Sequence, residues 1–151
     1  IYPLNELMDK YEKSVGRNAT LILGLTPDPN GLIPTGDEQR LKEFGTEINR
    51  RFSSPLAQTS GQKKSLTLKL DKKQPVNYCI IQENIQNGER IRQYKVETKV
   101  NGKWQTVCSG ESVGHKRIEK FDPVEATALR LTVLQSTALP DIINFSAFSV
   151  N

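Results

Sequence analysis

The stretch IRQYKVETKVNGKWQTVC, Ile91–Cys108, decides the fold. Asn101-Gly102 at its centre is the dipeptide preferred in two-residue type I′ turns, where both central residues need positive φ. The flanking runs Ile91–Val100 and Lys103–Cys108 therefore read as a β-hairpin. In a simple two-residue register Val96 faces Val107, and Trp104 sits opposite Lys99 on the other face, away from the core.

Working outward, the same period of two recurs. Leu66, Leu68 and Leu70 alternate with Thr67 and Lys69, and further strand candidates are Val76–Gln82, Lys116–Phe121, Leu129–Gln135 and Ile143–Val150. Pro, Gly or Asn signals separate them. Seven or so short strands with no convincing helix indicate a β-sandwich over residues 63–151. The small, polar stretch 53–62 reads as a linker.

Residues 1–52 follow a different period. Pro3, Leu4, Leu7, Met8, Tyr11 and Val15 mark an amphipathic helix, and Ala19–Leu25 is an apolar run suited to a strand buried on both faces. Thr26–Pro34, with three prolines and Asn30-Gly31, is a loop. Thr35 and Glu38 form a T-x-x-E capping box for a second helix with the stripe Leu41, Phe44, Ile48 and Phe52. Gly45 within it costs about 1 kcal/mol relative to Ala, so a close neighbour is expected there. A lone helix–strand–helix cannot cover both faces of such a strand, so 1–52 reads as the end of an α/β sheet or barrel. The start at Ile1, without an initiator Met, fits a segment of a longer protein.

The chain has 151 residues, 36% apolar and 25% charged. No apolar run approaches the roughly 18 to 20 residues of a membrane helix. The net charge of +4 divides into −1 over 1–52 and +5 over 53–151. The excess lysines, Lys69, Lys95 and Lys99 among them, alternate with apolar residues as on a solvated sheet face, which argues against nucleic acid as a partner. One histidine and two separated cysteines, Cys79 and Cys108, give no zinc pattern. Both cysteines lie in strand-like runs and read as buried thiols, with a disulfide open only if their strands adjoin. No Asp-rich loop is dense enough to predict calcium, so no cofactor is expected.

At Gly16 begins GRNATLILGLTPDPNGLIP, followed by GDEQRLKEFGTEI. This resembles the end of the catalytic barrel in glycoside hydrolase family 29, the α-L-fucosidases, with Gly24 where that family commonly has Asn. QENIQNGERIRQYKVET, NGKWQTVCSG, VGHKRIEKF and LRLTVLQSTALPDIINF are similar to the carboxy-terminal β-sandwich of many of these enzymes. That module is itself similar to the discoidin or coagulation-factor 5/8 type C fold, also called galactose-binding-like. The resemblance implies a mainly β chain: a jelly-roll sandwich preceded by an α/β remnant of a TIM-like barrel. Such retaining glycosidases work by two carboxylates flanking the glycosidic bond, which in the family precede the final barrel strand. No catalytic residue is therefore expected in this chain. Its expected partners are the upstream barrel of the same polypeptide and, through the parent, a fucosylated glycan, in a periplasmic or secreted setting. The rival reading is a free-standing carbohydrate-binding or adhesion module.

The residues themselves suggest no hidden active site. Glu83, Glu89, Glu97, Glu111, Glu119 and Asp141 offer no distinctive pair, His115 lacks a nucleophile-elbow partner, and Asn18-Ala19-Thr20 reads as an incidental sequon. Two sets remain. Glu83, Asn84, Asn87 and Arg90 with His115, Lys116 and Arg117 and with Asp141 lie in three strand connections, which gather at the ends of a sandwich. They suit sugar hydroxyls, but the reading favoured here is that Glu83, Arg90 and Arg117 bond one another or grip the barrel. Trp104 is either a stacking platform for a pyranose or a cover for lysine stems and the barrel.

Overall fold

The structure is a computed structural model and describes residues 1–151. Two helices come first: α1, Leu4–Ser14, and α2, Thr35–Phe52. Six strands follow: β1 Ala57–Gly61, β2 Ser65–Glu83, β3 Ile91–Val100, β4 Lys103–Gly110, β5 Arg117–Ser136 and β6 Ile142–Phe148. All pairings are antiparallel, in the order β1-β6-β2-β5-β3-β4.

β2 and β5 each join two of the short strands expected from the sequence. Their ladder runs from Ser65↔Thr132 to Ile81↔Arg117 and breaks register between Lys69 and Gln74 and again between Val76 and Tyr78. Asp71, Lys72, Lys73 and Pro75 look like a turn but occupy this irregular, exposed section of one long strand. Leu66 and Leu68 from one side of the break share a core with Cys79 and Ile81 from the other, together with Tyr94, Leu129, Leu131 and Phe145. The sheet thus folds over itself as a sandwich. Gly110 on β4 lies against the Tyr94 ring, and a Cβ there would fall about 2.5 Å from the Tyr94 hydroxyl, so the close approach needs glycine.

Two details of the β region differ from the expectation. The stretch 53–62 is not simply a linker: Ala57–Gly61 is an edge strand that pairs with β6 from Ala57↔Ala147 onward. Its alternating half-buried and exposed residues carry too few apolar side chains to announce a strand. A bulge after Val96 shifts the β3–β4 hairpin, so Val96 faces Cys108 rather than Val107, while Lys99↔Trp104 holds. Cys79 and Cys108 stand on strands that are not neighbours and are free thiols. The Cys108 thiol beside it and complete burial push the Cys79 thiol well above its ordinary range.

The N-terminal unit packs on the outer face of the sheet. Leu7, Met8 and Phe44 join α1 to α2, with Leu21, Leu23 and Ile48 against them. Tyr11 and Phe52 reach a second cluster on the sheet, Tyr78, Ile80, Ile118 and Phe148. Gly16 permits the closest approach, since a Cβ there would lie 2.9 Å from the Ile118 Cβ.

The helices form as the apolar stripes dictate, but the capping box does not. Pro34 precedes α2, its carbonyl accepting the Asp37 and Glu38 amides, so Thr35 already lies within the helix. Glu38 pairs with Lys42 at 2.6 Å instead of reaching back. Gly45 is exposed with open space around it, and no close neighbour explains it. Ala19–Leu25 runs without a strand partner and is not buried on both faces: Leu21 and Leu23 turn inward, whereas Ile22 is 86% exposed. A strand is defined by its neighbours, and none lies beside this segment. No helix is long and apolar enough to cross a membrane.

Candidate functional site

The three connections do meet at one end of the sandwich. Glu83, the last residue of β2, is only 2% exposed, and its carboxylate organises them. One oxygen accepts the amides of Arg90 at 2.9 Å and Ile91 at 3.0 Å, and the other accepts that of Gly114 at 2.8 Å. Asn84 donates from its backbone to the Asp141 carbonyl at 2.9 Å and from its side chain to the Asp141 carboxylate at 3.0 Å. The Arg90 guanidinium donates to the Leu139 carbonyl at 2.8 Å, and Thr137 donates back to the Arg90 carbonyl. Of the uses open to these residues, the geometry displays bonds to one another. Asn87 stands free at the exposed tip of its loop.

The third connection is held from the N-terminal unit. Asn18, in a left-handed conformation at φ 64°, accepts the His115 amide at 2.7 Å and donates to the Glu89 carboxylate. Gly114, also at φ 64°, packs so tightly against Asn18 that no Cβ fits between them. Arg17 donates to the Ile118 carbonyl at 2.9 Å and approaches Glu119 to 3.6 Å. The His115 side chain is exposed, and its carbonyl accepts from Gln82 at 3.2 Å. Lys116 turns toward a separate cleft beside Gln82 and Asn144.

Arg117 belongs to a buried polar group that sequence reasoning did not assemble. Its guanidinium donates to Glu119 at 2.8 Å, and the Tyr94 hydroxyl donates to the same oxygen. Burial first, and then the Glu119 carboxylate, push the Tyr94 phenol far above its ordinary range. Glu119 alternates in β5 with Ile118 and Lys120, and only its inward placement distinguishes it from the solvated glutamates.

Trp104 lies on the outer face as the pairing with Lys99 requires, and that face of the ring is occupied. The Arg130 guanidinium sits 4.3 Å from the ring centroid, oriented by Glu97, whose carboxylate it meets at 2.7 Å. Burial raises the Glu97 carboxyl, but Lys95 and Arg130 outweigh it and hold the group below its usual range. The cation covers one face of the indole ring. No group of three His, Cys, Asp or Glu side chains is placed to hold a metal ion.

A folded-over antiparallel sheet with three loops gathered at one end defines the β-sandwich class of fold. Residues 36–145 match the F5/8 type C domain model, and the chain belongs to that family. Its relatives are more particular. A crystal structure from Bacteroides thetaiotaomicron VPI-5482, named "putative alpha-L-fucosidase", is 85% identical with a TM-score of 0.99, over 100% of this chain and 35% of that one. A glycoside hydrolase 29 family member from an unknown rumen bacterium is 33% identical with a TM-score of 0.87, over 98% of this chain and 29% of that one. Alpha-L-fucosidase 1 of Arabidopsis thaliana is 32% identical over 87% of this chain and 33% of its own length. The chain thus spans about a third of the fucosidases it matches and corresponds to their carboxy-terminal, F5/8-bearing portion.

Proposed function

We propose that the chain is the supporting portion of an α-L-fucosidase. Residues 1–52 supply the closing helix–strand–helix of a catalytic barrel on the same polypeptide, and the sandwich from Ala57 onward holds that element in place. The parent acts on fucosylated glycans outside the cytoplasm, and its two carboxylates come from the remaining two thirds of the protein. The observation that carries this reading is the two-sided character of the N-terminal unit. One side is bound to the sandwich through Tyr11, Phe52, Arg17 and Asn18. The other leaves Ile22 exposed on the extended run 20–25, whose backbone is unpaired, and Leu32 and Ile33 exposed beyond the following turn. Such a run is stable when further strands cover it.

The test is hydrolysis of an aryl α-L-fucoside by the full-length protein and by the 151-residue chain. The expected outcome is turnover by the first and none by the second. A full-length protein inert toward aryl fucosides would overturn the fucosidase reading, and hydrolysis by the short chain would overturn the supporting role.

A further inference from the structure

We propose that Cys79 and Cys108 form a dithiol site open to thiol–disulfide exchange, and that oxidation by a small-molecule disulfide joins them into a staple between the two layers of the sandwich. This assignment goes beyond the supporting role and stands independently of the parent's activity.

The strand register brings the two cysteines together across the interior. Cys79 lies on the section of β2 that pairs with β5 at Glu119 and with β6 at Ala147, whereas Cys108 lies on β4 opposite Val96. β4 is an edge strand that pairs with β3 and shares no ladder with β2. Both side chains nevertheless face one core, Cys79 completely buried within it and Cys108 packed against it. Tyr94 bridges the layers beside them. Gly110, which follows Cys108 on the same side of β4, lies against the Tyr94 ring, and the Tyr94 hydroxyl donates to Glu119, the cross-strand neighbour of Cys79. The Cys108 thiol is near enough to be the foremost cause that holds the Cys79 thiol protonated, ahead of burial.

Unequal exposure sets the order of reaction. The thiolate is the attacking species, so buried and protonated Cys79 is a poor first nucleophile, while half-buried Cys108 is the thiol that a soluble disulfide reaches. Cys108 gives up its proton and its sulfur attacks one sulfur of the oxidant. The oxidant's S–S bond breaks, a mixed disulfide forms, and one small thiol leaves. Cys79 then loses its proton and attacks the Cys108 sulfur, expelling the second small thiol. Two S–H bonds are thereby exchanged for one S–S bond, and the oxidant takes up both protons and two electrons. The new bond closes a loop of about 30 residues, which restricts the unfolded chain. It also ties edge strand β4 to the long ladder of β2 with β5, to which no backbone pairing joins it.

The experiment treats the 151-residue chain with oxidised glutathione in native buffer, with a sample kept reduced by dithiothreitol as reference, and maps the peptides by mass spectrometry. The expected product has lost both thiols and carries a Cys79–Cys108 cross-link within one chain. Its melting temperature should rise by about 5–10 °C over that of the reduced chain. Cys79→Ala should stop at the mixed disulfide, with one glutathione on Cys108. Cys108→Ala should keep its Cys79 thiol free and show no shift in melting temperature with the oxidant. The wild-type map and Cys108→Ala decide the matter even where Cys79→Ala weakens the core. A wild-type chain that keeps both thiols, halts at the glutathione adduct or links only to a second chain would overturn the proposal. So would a cross-linked chain that melts no higher than the reduced one, or glutathione added to Cys79 in Cys108→Ala.

Discussion

Glu83 shows how much a single side chain settles at this end of the molecule. Three backbone N–H groups from two different connections converge on it in a buried setting. Removing the carboxylate strands those donors, each at a cost of about 1–3 kcal/mol. Glu83→Ala should therefore lower the stability by at least about 3 kcal/mol, measured as a shift of the urea midpoint, whereas Asn87→Ala should change it by less than about 0.5 kcal/mol. A small effect of Glu83→Ala would mean that water replaces the carboxylate. That the three connections meet was legible, because loops joining consecutive antiparallel strands return to the same ends. Which of their residues would be consumed internally was not. Glu83 and Glu89 are both glutamates beside turn residues, yet one is buried under three amides and the other is an exposed partner of Asn18. Asn18 itself carried no signal beyond a glycosylation-like triplet, and its part depends on a left-handed backbone angle.

At the scale of elements, α2 ends in a cluster of charges that ties it to α1. Glu47 accepts both Arg50 at 2.7 Å and Arg51 at 2.7 Å, and Arg51 continues to Glu12 at 2.9 Å. Glu12 in turn accepts the Tyr78 hydroxyl at 2.9 Å, so the chain of bonds reaches the sheet. The Arg50 and Arg51 hydrogen bonds hold the Glu47 carboxyl down at about 2. A depressed carboxyl stabilises the fold above its unfolded value near 4.5 and loses that contribution as pH falls through the folded one. The melting temperature should therefore drop between about pH 4.5 and 2, and Glu47→Gln should be less stable at pH 7 and show a shallower acid slope. An identical slope in the variant would assign the acid sensitivity to another carboxylate. Helix existence was evident from the stripes Leu7–Met8–Tyr11 and Phe44–Ile48–Phe52, because burial follows the 3.6 period. The start of α2 was misread because Pro34 can open a helix as readily as a capping threonine. The division of β2 and β5 was misread because charged residues and Pro75 sit at a bend inside continuous strands.

For the whole molecule, the N-terminal unit and the sandwich form one body. Phe52 stands at the joint, its ring 5.6 Å from both Tyr78 and Phe148 and 6.3 Å from Tyr11. In the intact chain, helical ellipticity and the fluorescence of Trp104, the single tryptophan, should be lost in one urea transition. Phe52→Ala should cost about 2–4 kcal/mol and shift the helical transition to lower urea than that of Trp104. Coincident transitions in the variant would show that the remaining contacts suffice. This coupling was invisible in the sequence, where the change of period between residues 52 and 66 suggested two independent parts.

The pairing of β2 with β5 also governs how the chain reaches this state. Both layers are built on that one ladder, yet β3 and β4 are synthesised in between and find their own central partner only when β5 arrives. Neither layer can close early, and the β3–β4 hairpin is the one piece of sheet available from local contacts. Folding should accordingly be slow for a domain of this size, in the millisecond-to-second class of non-local β topologies. Until β5 emerges from the ribosome, the apolar side of β2 has no native cover, which makes that interval the point at which the nascent chain is most exposed to misassociation.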